Sequence, residues 1–247
     1  AIKKMDKIVN GRSRGSAVLL YSMELEQRLY QHDEEWMILG ASLIKLPYVY
    51  YCCQQIDNGV KSADEVMTYT QSFYHGGAGV IRKSPYGTKY KISTLIDYAL
   101  RYSDNVAYDM LVYAFGIDGF NHMVKDWGFG VRISQYTRFP QVNAVFMKYA
   151  MHKMYLQRNQ STIWQTAWTA LNESTGNFAR AEIDENANVA IKYGLVETSY
   201  HEVIFVDGAH PYILVILTAT KNYTKDQTFV KNVVNCAEEI VAATFGS

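Results

Sequence analysis

Three short clusters in this sequence carry side chains suited to nucleophilic chemistry: Ser42-Leu43-Ile44-Lys45, Ser103-Asp104-Asn105 and Lys192-Tyr193-Gly194. A serine hydroxyl is a poor nucleophile near neutral pH and must lose its proton to a neighbouring base as it attacks. Lys45 stands three residues after Ser42, so on a helix the two side chains share a face, close enough for a hydrogen bond. Lysine acts as a base only when its pKa is pulled down, and burial with a second cation nearby, Lys192, works in that direction. A serine at a helix start also feels the positive end of the macrodipole, which favours an alkoxide as it forms.

The elements that must position these groups can be read from the hydrophobic pattern. After Ser42, Leu46, Val49, Tyr50, Cys53 and Ile56 recur at helical spacing until Asp57-Asn58-Gly59 supplies turn chemistry, so Ser42 opens a helix. Pro47 sits near the end of the first turn of that helix, in tension with it. A second helix is expected over residues 93–101, with Ile92, Leu95, Ile96, Ala99 and Leu100 as its apolar stripe and Ser93 as its cap. A third follows over residues 105–115, with Val106, Met110, Leu111 and Ala114 inward, which leaves Ser103-Asp104 in the tight connection between them. Helical spacing continues over residues 142–156 and 163–171.

The two ends of the chain read differently. Residues 17–21 and 27–30 form a hairpin around Glu24-Leu25-Glu26, so the chain is expected to start with sheet. Residues 189–196, 202–206 and 212–219 have the period of strands, with Asp207-Gly208 as a turn, and Lys192 falls inside the first of them. Val230, Val233, Val234, Ala237, Ile240 and Val241 mark a closing amphipathic helix. The expectation is one α/β domain spanning residues 1–247. Its sheet lobe comprises residues 1–41 and 186–247, an all-helical lobe of residues 42–185 is inserted between, and the active site lies where the lobes meet.

The three clusters, in this order, resemble the S-x-x-K, S-D-N and K-T-G motifs of class A β-lactamases and penicillin-binding proteins. The first two match to the letter, and Tyr193 stands where that family has threonine. The resemblance covers nearly the whole chain. It implies the β-lactamase/transpeptidase-like fold, an antiparallel sheet flanked by helices with an inserted all-helical lobe. It implies Ser42 as nucleophile, Lys45 as base and Ser103 as proton relay to the leaving nitrogen. Asn105 would hydrogen-bond the substrate amide and Lys192 would hold its carboxylate, beside Tyr193 and Gly194, while the N–H groups of Ser42 and Leu195 would receive the oxyanion. The implied substrate is a β-lactam or a cell-wall peptide ending like D-Ala-D-Ala, and the implied source is bacterial.

Class A enzymes also carry E-P-x-L-N, whose glutamate activates the deacylating water. The aligned segment is Phe139-Pro140-Gln141-Val142-Asn143. A phenyl ring takes no proton, so the acyl-enzyme is expected to form and clear slowly. The other carboxylates considered for that task are Asp126, Glu173 and Glu182. Tyr193 removes a small hydroxyl and is expected to narrow the cleft. The alternative is a non-hydrolytic penicillin-binding or sensing module that has lost turnover.

Composition bounds the partners. Twenty-four basic residues balance twenty-four acidic ones, which gives no global field for nucleic acid or an anionic membrane. The longest apolar run, residues 212–217, is far short of the roughly 20 residues a spanning helix needs. The six histidines never pair at metal spacing and there is no C-x-x-C, so no metal and no cofactor are expected. Adjacent Cys52 and Cys53 are read as small apolar side chains on a buried helix, and the twenty tyrosines as packing. Gly11-Arg12-Ser13-Arg14-Gly15 spells G-x-S-x-G, but Ser13 precedes a strand where a nucleophile elbow must follow one. His75-Gly76-Gly77 is read as a loop. The first residue is alanine, which leads to the expectation of an exported or anchored, extracytoplasmic protein whose signal or anchor is absent from this chain.

Overall fold

A computed structural model describes residues 1–12, 15–219 and 223–246, of which residues 223–225 are described by backbone alone. In chain order the elements begin with α1 (Ile2–Asn10), β1 (Ser16–Ser22), β2 (Gln27–His32), β3 (Ile38–Leu39) and α2 (Lys45–Asp57). They continue with β4 (Val66–Thr68), β5 (Lys89–Lys91), α3 (Ile92–Arg101), α4 (Asn105–Phe115), α5 (Asp118–Asp126), β6 (Gln141–Val142), α6 (Ala144–Gln157) and α7 (Thr162–Asn172). The chain closes with β7 (Asn188–Val196), β8 (Ser199–Asp207), β9 (Tyr212–Ala219) and α8 (Tyr223–Phe245). Ser13 and Arg14, the centre of the G-x-S-x-G run, lie outside the described residues.

The chain divides into two units, one of Ala1–Leu43, Phe139–His152 and Gly176–Ser247, the other of Ile44–Arg138 and Lys153–Thr175. The first unit is built on an antiparallel five-stranded sheet in the order β2-β1-β9-β8-β7. Val18, Leu20, Ile191, Ile204, Leu214 and Ile216 point to one face, where they meet Val230, Val233, Val234, Ala237 and Ile240 of α8. Residues of the opposite pleat, among them Leu19, Ala190, Phe205, Val215 and Leu217, are buried as well. That is why these antiparallel strands read as continuous apolar runs and not as alternation.

The expectation that the chain starts with sheet is overturned by α1. Its Met5 and Val9, four residues apart, are buried against the α8 side of the sheet, while Lys3, Lys4 and Lys7 stay in solvent. Met5, Val9 and the partly buried Ile8 hold this helix, a stripe too short to stand out from a lysine-rich run in sequence.

The second unit packs α3 against α4, α7 and α2. Tyrosines form much of its core: the Tyr48 ring lies 5.4 Å from Tyr108 and 5.2 Å from Phe120, and Tyr50 lies 4.9 Å from Trp164. Two of their hydroxyls find backbone acceptors, Tyr48 at Gly116 O (2.6 Å) and Tyr108 at Arg138 O (3.0 Å), so those two rings are buried without an unmet polar tip. Cys52 and Cys53 are buried on α2, and burial pushes both thiols well above their ordinary pKa. Pro47 is the third residue of α2, where an amide has no acceptor inside the helix, so its missing N–H costs nothing there. Ser93 is not the cap of α3: the capping position is Lys91, and Ser93 N–H donates to Ala63 O inside the first turn. Helix α5, with Phe120, Met123 and Val124 inward, was not anticipated from the sequence.

Candidate active site

Ser42 lies in the first unit, on a 3-10 turn of residues Ala41–Ile44 that runs directly into α2. The approach to it is tightly constrained. Gly40 N–H donates to Pro140 O (3.0 Å) and Gly40 O accepts from Leu43 N–H (3.0 Å), which brackets Ala41 and Ser42. Ala41 has φ +47°, a left-handed conformation that an L-residue with a Cβ holds only under constraint. A Cβ on Gly40 would lie 2.7 Å from the Val142 side chain, and one on Gly194 would lie 2.8 Å from Gly40 O and 3.3 Å from Leu43 N. Both glycines are therefore places where β6 and β7 pass hard against the backbone that carries Ser42.

On β7, Lys192 is fully buried, and its Nζ donates to Tyr193 O (2.7 Å) and stands 4.6 Å from the Tyr193 ring centroid. That ring is partly buried against the sheet core, and a Cβ on Gly176 would come within 2.9 Å of it. Leu195 is partly exposed. Opposite Tyr193 in register, buried Glu202 accepts N–H bonds from Phe178 (2.5 Å) and Ala179 (3.1 Å) and an O–H bond from Tyr200. Burial lifts its pKa to about 7, although all three bonds pull the other way. Glu202 thus ties the loop after Gly176 to the sheet beside the Lys192 cluster.

Lys45, Ser103 and Asn105 come together in the second unit. Lys45, the first residue of α2, is wholly buried, and its Nζ donates to Ser103 O (2.5 Å), Asn105 Oδ1 (2.6 Å) and, at 3.4 Å, Ser103 Oγ. Burial pulls the lysine down to about 7, against the opposing effect of Asp104 and Asp109. Ser103 has φ +53°, a second strained non-glycine residue, in the turn between α3 and α4. Asp104 holds that turn: its carboxylate accepts N–H bonds from Ala107 (2.9 Å), as the cap of α4, and from Val80 (2.6 Å) and Ile81 (2.8 Å). Asn105 Nδ2 donates to Gly76 O (2.8 Å), so the glycine loop 76–79, read from the sequence as a plain connection, supports the turn from below. Gly79 approaches Asp104 so closely that a Cβ would fall 2.3 Å from the carboxylate carbon.

Phe139 is half-buried at the start of a segment that runs into β6, which pairs antiparallel with β3, Ile38 with Val142 and Leu39 with Gln141. Asn143 Oδ1 accepts from Phe146 N–H (2.9 Å) at the entry to α6. This segment therefore lies alongside the approach to Ser42. Among the other carboxylates, Asp126 is exposed, Glu173 pairs with Arg101, and Glu182 is taken by Lys231 (2.7 Å) and Asn235 (3.2 Å). Asp109, which sequence reasoning passed over, is half-buried one turn beyond Asn105. It lines a cavity of about 420 Å³ with His75, Tyr113 and Arg138, and burial raises its pKa. Its i+4 spacing from Asn105 was the available signal.

Among the described residues no three metal-ligating side chains cluster, and no helix is long and apolar enough to cross a membrane.

Comparison with known proteins bears on the fold and the lineage. A family model described as the beta-lactamase enzyme family matches residues 1–240. A beta-lactamase from Sphaerobacter thermophilus superposes with a TM-score of 0.88 at 14% identity, covering 98% of this chain and 96% of that one. A beta lactamase from Burkholderia vietnamiensis gives 0.88 at 14%, with 99% and 97% covered. The structure of PBP-A gives 0.84 at 15%, with 96% of each chain covered. No curated protein matches by sequence. At these identities the solved structures establish the fold, and the family match over nearly the whole length establishes the lineage: the chain belongs to the beta-lactamase enzyme family, β-lactamase-like serine hydrolases by kind.

Proposed function

We propose that this protein is a serine acyl-transfer hydrolase that is acylated at Ser42 by a β-lactam or a D-Ala-D-Ala-like peptide and releases the acyl group slowly. The observation that carries this reading is Lys45, an amine buried away from water, held at a pKa near neutrality and hydrogen-bonded to both Ser103 and Asn105. Lys45 takes the proton as Ser42 Oγ attacks the carbonyl carbon. The carbonyl C–N bond then breaks, and Ser103 passes a proton to the departing nitrogen. Asn105 orients the substrate amide, Lys192 beside Tyr193 and Gly194 faces its carboxylate, and the N–H groups of Ser42 and Leu195 receive the oxyanion.

Water must then attack the ester, and the side chain where the family keeps a glutamate is Phe139. The absence of a base there supports a long-lived acyl-enzyme. A variant of PBP-A has been solved as an acyl-enzyme complex with penicillin G, which makes that ligand a reasonable first probe.

The test is intact-mass spectrometry after incubation with penicillin G and with a D-Ala-D-Ala peptide. The expected result is a persistent adduct that Ser42→Ala abolishes and that clears faster in Phe139→Glu. Rapid clearance in the unmodified chain would refute the argument from Phe139, and no mass change with any substrate would favour a sensing module over an enzyme.

A further inference from the structure

The nucleophile turn is gripped from behind by two side chains of β8 that no part of the proposed reaction uses. Ser199 Oγ donates to Leu39 O (3.2 Å), and His201 Nε2 lies 2.9 Å from the same oxygen. His201 Nδ1 accepts from Thr218 N–H on β9 (3.1 Å). A carbonyl oxygen only accepts and a backbone N–H only donates, so these two partners fix the imidazole as the neutral Nε2–H tautomer. Ser199 and His201 are both buried to within 1%. Burial also lowers the histidine to a pKa of about 4. His201 pairs in register with Gly194, the glycine that meets Gly40 O, so β8 and β7 press on the same short stretch of backbone.

Leu39 is followed by Gly40, strained Ala41 and then Ser42. The left-handed Ala41 stores backbone strain that relaxes wherever the flanking peptides are free to rotate. Gly40 is held on one side by Pro140 O and Leu43 N–H, and the Leu39 carbonyl is the remaining anchor. An oxygen with two lone pairs and two buried donors has no freedom to turn.

We propose that His201 is a positioning residue: with Ser199 it clamps the Leu39 carbonyl, and the clamp holds the Ala41 turn in the conformation that presents Ser42 for attack. The proposal rests on Ser42 as the nucleophile. Its effect falls on the rate of acylation and not on substrate affinity, because the clamp touches neither the binding side chains nor the base.

The experiment compares the parent with Ser199→Ala, His201→Gln, His201→Leu and the Ser199→Ala/His201→Leu double variant. Adduct formation with penicillin G is followed by intact mass over a range of concentrations, so that the limiting rate separates from the half-saturating concentration, with folded fraction set by circular dichroism. Misplacement of a reacting group by about 1 Å costs on the order of 100-fold. The limiting rate is therefore expected to fall about tenfold in His201→Leu and about 100-fold in the double variant. It should fall only a few-fold in Ser199→Ala, recover in His201→Gln, which keeps an N–H for Leu39, and leave half-saturation unchanged throughout. A limiting rate within twofold of the parent in folded His201→Leu overturns the clamp. Hydrogen exchange at the Gly40 and Leu43 amides separates this from failure of the Ser42 reading. Faster exchange in His201→Leu that His201→Gln restores upholds the clamp even if no adduct forms, and unchanged exchange overturns it. If His201→Leu does not fold, Ser199→Ala is read against the parent and His201→Gln: faster exchange at Gly40 and Leu43 in Ser199→Ala alone upholds the clamp, and exchange unchanged in Ser199→Ala overturns it.

Discussion

Replacing Lys45 with methionine should make the protein more stable at acidic pH while abolishing acylation. Lys45 is wholly buried, with its pKa lowered from 10.5 to about 7. In the unfolded chain it returns to its ordinary value, so between pH 7 and 10.5 the unfolded state binds more protons and stability rises with pH. At pH 6 the lysine is charged in both states, and each unit of depression costs about 1.4 kcal/mol, roughly 5 kcal/mol in all. At pH 9 roughly 2 kcal/mol of that penalty remains. Methionine removes the penalty but leaves Ser103 O and Asn105 Oδ1 without their donor, at about 1–2 kcal/mol each. The Met variant should therefore be about 1–3 kcal/mol more stable than the parent at pH 6. By pH 9 that advantage should have fallen by about 3 kcal/mol and vanished. Urea unfolding of both proteins at pH 6, 7.5 and 9 measures the difference, in which the titrating groups that do not interact with Lys45 cancel, whereas Asp109, whose pKa the lysine lowers, contributes a smaller change of its own. A stability gap that does not change with pH would mean that Lys45 is folded as a fully charged, fully compensated ammonium, and the case for it as a base would fail.

Other expectations follow from the same geometry. The limiting rate of adduct formation should rise about tenfold from pH 6 to 8 as the Lys45 amine loses its proton near pH 7, and a rate that falls over this range would count against a lysine base. Gly194→Ala places a Cβ 2.8 Å from Gly40 O, against backbone that cannot yield cheaply, and should cost about 1–3 kcal/mol of stability together with a slower acylation, read by thermal melts and mass spectrometry. Asp104→Ala orphans the N–H groups of Val80, Ile81 and Ala107; a loss of at least about 3 kcal/mol in urea melts is expected, and one below about 1 kcal/mol would show that the loop does not depend on it.

Much of this was legible in the residues. Strands β7 and β9 and helix α4 are long, strongly patterned segments, and their boundaries fall within a residue or two of expectation because little competes with burial there. The S-x-x-K and S-D-N letters located Lys45, Ser103 and Asn105, which the fold gathers around one ammonium. Short-range chemistry was harder to see. Ser93 is a good capping residue by type, yet β5 runs up to Lys91 and α3 begins at Ile92, so the capping position falls on Lys91 and Ser93 lies inside the first turn. The supports of the site were invisible for a different reason. Asp104 reaches back to Val80, Ser199 and His201 reach across to Leu39, and Glu202 reaches to Phe178; these partners lie far apart in sequence and meet only once the chain has folded. The left-handed residues Ala41 and Ser103 carry no letter that announces their conformation, since a strained φ belongs to the surroundings and not to the side chain.

On the proposed reading of Ser42, the strand order β2-β1-β9-β8-β7 also fixes when a growing polypeptide would become chemically competent. Strand β1 is made well before its partner β9, and both the Leu39 anchor and Gly194 wait on the later strands β8 and β7. Pairing across so long an intervening stretch is entropically slow, because the loop must close before any contact repays it. Ser42 and Lys45 are therefore ordinary side chains on an unfinished scaffold until that stretch has been made. A ribosome-bound intermediate or a product truncated before β9 should be inert toward acylating agents, and reactivity should switch on in one step as the sheet closes.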